Sequence, residues 1–430
     1  MNKENKRKGK HLISTILLVF AAGILILGII FSHFGGFGTG PCADKKEFAK
    51  YAAPISEITI PGETRIIALG EATHGNAEFQ LLKLDVFKTM VEKYGVRAFA
   101  LEGDFGSCEA VNRYIHGADG SAAEAAASIG FAIYRTQEMA DLIEWMRDYN
   151  KSSAQGDDLR FYGFDMQRQE YSYKFLAESL RKFGISGDDL EKIWDEEKNG
   201  LSDAYDPEQK AGILEFVKQK LARTDDPEAA MAAQFAEILL QNISLGKVIN
   251  DPGIGNAMRD RLMAENTLWI LEQEEKRNNS RIFISGHNGH VEQFGSYGAD
   301  DKVMGNLLAD ELGDGYFVIG TDFYKTSCNL PTGKGEKRTV QSFYSYDMLA
   351  KASKESGLSM SWLDFSRIPD DSALKGLVTE YMWMGSLGEY YNPLLMHILP
   401  MMSYRIWRSP AALFDGMIFV TEAHPTVIRN

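Results

Sequence analysis

Cysteine is scarce in this chain: Cys42, Cys108 and Cys328 are the only three among 430 residues. An odd, widely spaced set excludes a disulfide framework. Neither a C-x-x-C pair nor a Cys/His zinc spacing is present, so a structural zinc site built on thiolates has no support. A G-x-S-x-G elbow is missing too, which argues against a serine esterase of the α/β-hydrolase kind, and there is no H-E-x-x-H or Walker loop. Positive charge is also short. With 46 Lys and Arg against 60 Asp and Glu the formal net charge is −14, which argues against a nucleic-acid partner and against large polyanionic substrates. No internal repeat or low-complexity segment occurs. The rest is an ordinary globular composition, 44% hydrophobic and 25% charged, long enough for one large or two ordinary domains.

The longest apolar run stands near the start. Lys3, Lys6, Arg7, Lys8 and Lys10 precede Leu12 to Phe31, and about twenty apolar residues is the length that spans a bilayer as a helix. The basic flank would stay in the cytoplasm. The expected organisation is a basic cytoplasmic tail at 1–10, a transmembrane anchor at 11–33, a linker at 34–44 and a body at 45–430 outside the membrane. A cleaved signal peptide competes with this, but the run is long for one and no small-x-small cleavage site follows. The glycines at 35, 36, 38 and 40 follow no strand and open no helix, so they read as a tether and not a phosphate loop. Cys42 lacks the upstream pattern of a lipidation site.

Within the body, apolar runs expected as strands (Arg65–Leu69, Ala98–Leu101, Leu159–Tyr162, Arg281–Ser285, Tyr316–Ile319 and Gly416–Val420) alternate with helical patterns. Most are continuous and not alternating, as strands covered on both faces should be. The expected fold is therefore α/β, a mostly parallel central sheet flanked by helices. Residues of about 170–279 are charged and helical, with turn signals at Asp206-Pro207, Asp226-Pro227 and Asp251-Pro252, and read as an inserted helical subdomain. After Tyr324, residues 325–345 read as a loop or hairpin excursion.

Each strand run ends in polar groups: Glu71 and His74, Glu102 and Asp104, Asp165, His287 and His290, Asp322, Glu422. In an open parallel sheet such tips line a pocket at the carboxyl ends. The centre is Gly70-Glu71-Ala72-Thr73-His74-Gly75-Asn76, a strand, a turn, and then a helix with Phe79, Leu82, Val86, Met90 and Tyr94 on one face. A carboxylate that accepts one ring N–H fixes the imidazole tautomer and raises the basicity of the other nitrogen, which suits a general base. The bland alternative for Glu71 is a carboxylate favoured by the helix dipole; for Glu102 it is a buried ion pair. The first explains Glu71 but not its company; the second stands level with a Glu102 that holds the imidazole or a water. His287 and His290, beside a glycine turn, could orient a substrate, stabilise an oxyanion, or bind a metal with Glu71 or His74. His116, His397 and His424 have no acidic partner at a telling spacing, and Cys108 reads as an ordinary buried thiol.

Gly70 to Gly75 with Glu78-Phe79, Phe99 to Glu102, Asn112-Arg113-Tyr114, Phe161 to Asp165, Arg259-Asp260 with Met263 to Asn266, Gly286 to Val291, and Phe414-Asp415-Gly416 occur in the order found in the erythromycin esterase-like proteins, which this chain resembles over about residues 55 to 425. The resemblance implies a hydrolase that opens the macrolactone ester of 14-membered macrolides without a covalent intermediate. His74 matches the general base of that family, Glu71 and Glu102 its essential carboxylates, and His287 and His290 its second histidine pair. Catalysis would rest on His74, Glu71, Glu102 and His287, with His290, Lys83 and Asp165 binding substrate and no cofactor or metal required. Lys83 stands where macrolide-acting members carry Arg, and loses the bidentate fork. An anchored, outward-facing copy would act on envelope or environmental esters. The expected partner is thus a small-molecule ester or lactone. Two other readings stand beside it: a metal-dependent hydrolase built on the same Glu/His cluster, and a membrane-tethered binding protein without turnover.

Overall fold

The computed structural model describes residues 3–34, 44–224, 226–297, 301–332, 337–345, 347–388, 392, 396 and 404–429, with side chains described from residue 13 to 28 within the first helix. Among them run thirteen strands: β1 Ala52–Ala53, β2 Ile66–Glu71, β3 Ala98–Asp104, β4 Arg160–Asp165, β5 Trp194–Asp195, β6 Gly200–Leu201, β7 Ile282–His287, β8 Tyr316–Pro331, β9 Arg338–Tyr344, β10 Met360–Asp364, β11 Met382–Gly385, β12 Arg405–Arg408 and β13 Gly416–Ala423. Helices α1 Lys3–Phe34, α2 Lys45–Tyr51, α3 Ala77–Tyr94, α4 Phe105–Ile115, α5 Ala122–Ser128 and α6 Gln137–Ser152 precede β4. Between β4 and β7 come α7 Glu170–Lys182, α8 Asp188–Lys192, α9 Pro207–Leu221, α10 Pro227–Gly246 and α11 Pro252–Lys276; α12 Asn288–Val291 and α13 Met304–Leu312 follow β7.

Nine strands form one sheet in the order β1-β10-β13-β8-β2-β7-β3-β4, with β9 on the far end of β8. The six strands from β13 to β4 are parallel, and β1, β10 and β9 pair antiparallel. The continuous apolar runs are explained by cover on both faces. Ile66, Ala68, Ala98, Ala100, Ile282 and Ile284 point to one core, shared with α7, α9, α10 and α11. Their alternates Ile67, Leu69, Phe99, Leu101 and Phe283 point to the other, shared with α3, α5 and α6. The second core is aromatic: Phe87 of α3 lies 5.2 Å from Phe99 and 5.5 Å from Phe283 by ring centroid, contacts worth about 0.5–1.5 kcal/mol each beyond burial.

Among the described residues no helix is long and apolar enough to cross a membrane. The expected transmembrane anchor at 11–33 is therefore corrected. The single-pass placement at a cell membrane, the body outside it and the membrane as a partner fall with the anchor. The basic residues Lys3 to Lys10 belong to the same helix α1 instead of standing before it.

Other expectations change in detail. The Asp-Pro pairs at 206, 226 and 251 do not mark loops: each Asp caps a helix whose first residue is the Pro, and Asp206 closes a capping box with Gln209. Strand β8 outruns its expected end and folds back as the β8–β9 hairpin, filling most of 325–345. The Gly-rich linker, Cys42 and His397 lie outside the described residues, as does part of the Met- and Trp-rich stretch 381–407.

Candidate active site

The turn after β2 is held rigidly. Asn76 donates from Nδ2 to Ser327 O and His424 O, both at 2.9 Å, while its Oδ1 accepts from the hydroxyls of Thr73 and Thr326. The Gly75 carbonyl accepts from Asn329 N at 3.0 Å and Thr426 N at 2.9 Å. That approach is so close that a Cβ at residue 75 would collide with the Asn329 backbone, so only glycine fits. The consequence is a fixed position for the ring of His74, one residue earlier.

His74 Nδ1 is hydrogen-bonded to Glu71 Oε1, and Glu71 Oε2 accepts from Lys83 Nζ and, at 3.3 Å, from Gln80 Nε2. Burial works to raise the Glu71 pKa, but Lys83 and His74 outweigh it and hold the carboxyl down at about 2. Glu71 is therefore an anion that orients the imidazole. Lys83 is fully buried beneath it, which puts its ammonium behind the carboxylate and out of reach of any substrate.

The second half of the site is centred on Glu102 at the end of β3. Its Oε2 accepts from His287 N at 2.7 Å and its Oε1 from Arg259 Nη2 at 2.8 Å, with His290 Nε2 at 3.4 Å. Burial opposes its ionisation, yet His290, Arg259 and His74 overcome that and hold it well below the usual carboxylate range. Arg259 also binds Asp165 Oδ2, at 2.7 Å from Nη2 and 3.2 Å from Nε. His290 Nδ1 contacts Asp260 Oδ1 at 2.8 Å, and Asp260 Oδ2 accepts from Tyr297 at 2.6 Å. Burial would keep His290 neutral, but Asp260 and Glu102 raise its pKa.

His287 is different. Its Nδ1 accepts from Gly289 N at 3.2 Å, so in the neutral ring the proton sits on Nε2. That nitrogen is buried and has no hydrogen-bond partner among the described residues. Burial, reinforced by the positive fields of His74 and His290, pushes its pKa down to about 3. The ring is a neutral N–H donor, and its centroid lies 5.0 Å from that of His74. A cavity of about 350 Å³ opens beside it, lined by Asn256, Arg259, His287, His290, Tyr297 and Arg408 among others. His74 is not among the described residues that line it, and its side chain is 10% exposed.

The structure thus brings together Glu71, His74, Lys83, Glu102, Asp165, His287 and His290. It does not bring Asp322, buried inside β8 beside Asp347, or Glu422, exposed and paired with Lys325. Asp104 caps α4 through Ser107 N, away from the cavity. His116 and His424 do have acidic partners, Asp158 at 2.9 Å and Glu78 at 2.6 Å, contributed from far along the chain. Asp165 is fully buried and serves Arg259. Missing from the sequence reading of the site are Arg259, Asp260 and Tyr297. The available signal was a run of three charges, Arg259-Asp260-Arg261, set between the apolar Met258 and Leu262 of a helix. Among the described residues no group of three or more His, Cys, Asp or Glu side chains is arranged to hold a metal ion.

Comparison with known proteins gives the fold and the family. Erythromycin esterase type II of Escherichia coli is 23% identical over 369 residues, covering 74% of this chain and 84% of that protein. Among solved structures, a succinoglycan biosynthesis protein superposes with a TM-score of 0.73 at 20% identity, covering 90% of this chain and 98% of the other. An erythromycin esterase mutant in its open conformation gives 0.57 at 15% identity, covering 86% and 93%. These likenesses are evidence of the fold. The erythromycin esterase family model matches residues 91–423, about three-quarters of the chain, and on that match this protein belongs to the erythromycin esterase family of hydrolases.

Proposed function

We propose that this protein hydrolyses a carboxylic ester or lactone with water activated by His74. The observation that carries the reading is the pairing of His74 with the Glu71 carboxylate, 5.0 Å by ring centroid from a neutral histidine whose Nε2–H has no partner among the described residues. In this reading Glu71 holds the Nδ1 proton, and the other ring nitrogen of His74 takes a proton from water as it attacks the carbonyl carbon. The His287 Nε2–H then meets the negative oxygen of the tetrahedral intermediate. Glu102 does not react; it fixes the His287 backbone and the Arg259 guanidinium.

The family supports a macrolide macrolactone as one substrate. The 350 Å³ cavity, at the low end of the roughly 300–1,000 Å³ usual for ligand sites, supports a smaller ester or lactone as well. The test is hydrolysis of a panel of macrolides, simple lactones and alkyl esters by the purified protein. His74→Ala should lower the rate by about 10²–10⁴-fold with an unchanged melting temperature. An alanine variant that keeps full activity on every substrate turned over would overturn the reading.

A further inference from the structure

We propose that Glu292 is a further catalytic acid of this site, delivering from the cavity wall the proton that the departing alcohol oxygen needs. The inference rests on the ester-hydrolysis reading above and adds a group to it.

Glu292 follows the short helix α12 and lines the same cavity as His287, His290 and Arg408. It is 7% exposed. The other buried carboxylates of the site, Glu102, Asp165 and Asp260, each accept from two or more donors. The Glu292 carboxyl accepts no hydrogen bond or ion pair from the described residues. It is packed over bare backbone: a Cβ at residue 295 would collide with Glu292 Oε1 and stand 2.6 Å from Val303 Cγ2. Gly295 is what gives the carboxyl its place.

A buried carboxylate without a partner is costly, so such a group is kept in its acid form. The groups that face it are Arg408 from β12, His290 from α12 and Asp260 from α11. Burial raises its pKa to about 7 against Arg408 and His290, with Asp260 adding to the rise. Near neutral pH it can both hold and release a proton.

The step balances as follows. Water oxygen bonds to the carbonyl carbon while His74 takes its proton. When the intermediate collapses, the bond from that carbon to the alcohol oxygen breaks and the electron pair stays on oxygen, which takes the Glu292 proton. Solvent then re-protonates the Glu292 carboxylate, and His74 returns its proton to solvent.

The leaving group decides the matter. An alkoxide cannot depart without a proton, whereas a nitrophenolate can. The experiment compares an alkyl ester and the nitrophenyl ester of the same acid for the full-length protein and its Glu292→Gln variant. The alkyl-to-aryl ratio of kcat/KM should fall at least about 30-fold in the variant, and the alkaline limb of the alkyl-ester profile near pH 7 should disappear. Glu292→Ala, checked by its melting curve, should give the same selective loss. An unchanged ratio with wild-type activity on both esters overturns the role of Glu292 alone. Absence of wild-type hydrolysis of either ester overturns the ester reading and this inference with it.

Discussion

His74 and His287 stand with ring centroids 5.0 Å apart and planes inclined by 41°, yet their surroundings give them opposite characters. His74 is tied to an anion, Glu71. His287 has its Nδ1 filled by a backbone N–H and is kept neutral by burial. On the proposed mechanism one ring receives a proton and the other offers a hydrogen bond.

That division predicts different kinetic damage at the two rings. His287→Ala should lower kcat by about 10²–10³-fold with little change in KM, the signature of a donor used only in the transition state. Steady-state kinetics on any ester the protein cleaves is the check. A rise in KM at constant kcat would instead make His287 a plain substrate contact.

Glu71 and Lys83 form a buried ion pair, and the pair should behave as a unit. Lys83→Met leaves the carboxylate buried without its cation and should cost about 3–5 kcal/mol in urea unfolding. Glu71→Gln should cost a similar amount and also lower kcat, since His74 loses its orienting anion. The double variant should recover much of the stability and none of the activity. Additive losses in the double variant would show that the two side chains do not couple.

Acid and neutral limbs of stability should have separate origins. Glu71 and Glu102 have depressed pKa values in the folded state, so the unfolded chain binds more protons below about pH 4.5. Their contribution is present above that pH and is lost as pH falls towards about 2. Glu292 has the opposite sign: raised to about 7, it makes the folded state bind the extra proton, and stability falls as pH rises from about 4.5 to about 7. Glu292→Gln should therefore gain on the wild type progressively between pH 4.5 and 7.5 in urea titrations. A gap that does not change with pH would contradict the assignment.

The sheet was legible because a parallel sheet covered on both faces leaves a plain mark, runs such as Ile66-Ile67-Ala68-Leu69 with polar residues just beyond. Glu71, His74, Glu102 and His287 could be found from that rule. Arg259 could not, since it reaches the site from the side of α11 and its partner Asp165 comes from another strand. The burial of Lys83 was hidden for a related reason: a lysine on a helix gives no sign that its ammonium points under a strand tip. Asp322 misled because β8 does not stop where its apolar run stops. The apolar run near the start misled because its composition suggested a bilayer span that no helix among the described residues provides.

The turn that carries His74 has one more property, drawn from its anchors. Asn76 holds His424, Ala77 N donates to His424 O, and Gly75 accepts from Thr426. The residues that immobilise the base are thus translated about 350 positions after it. A polypeptide halted before residue 424 keeps the Thr326, Ser327 and Asn329 anchors of this turn but lacks those from His424 and Thr426, so the placement of His74 is complete only once the chain has passed residue 426.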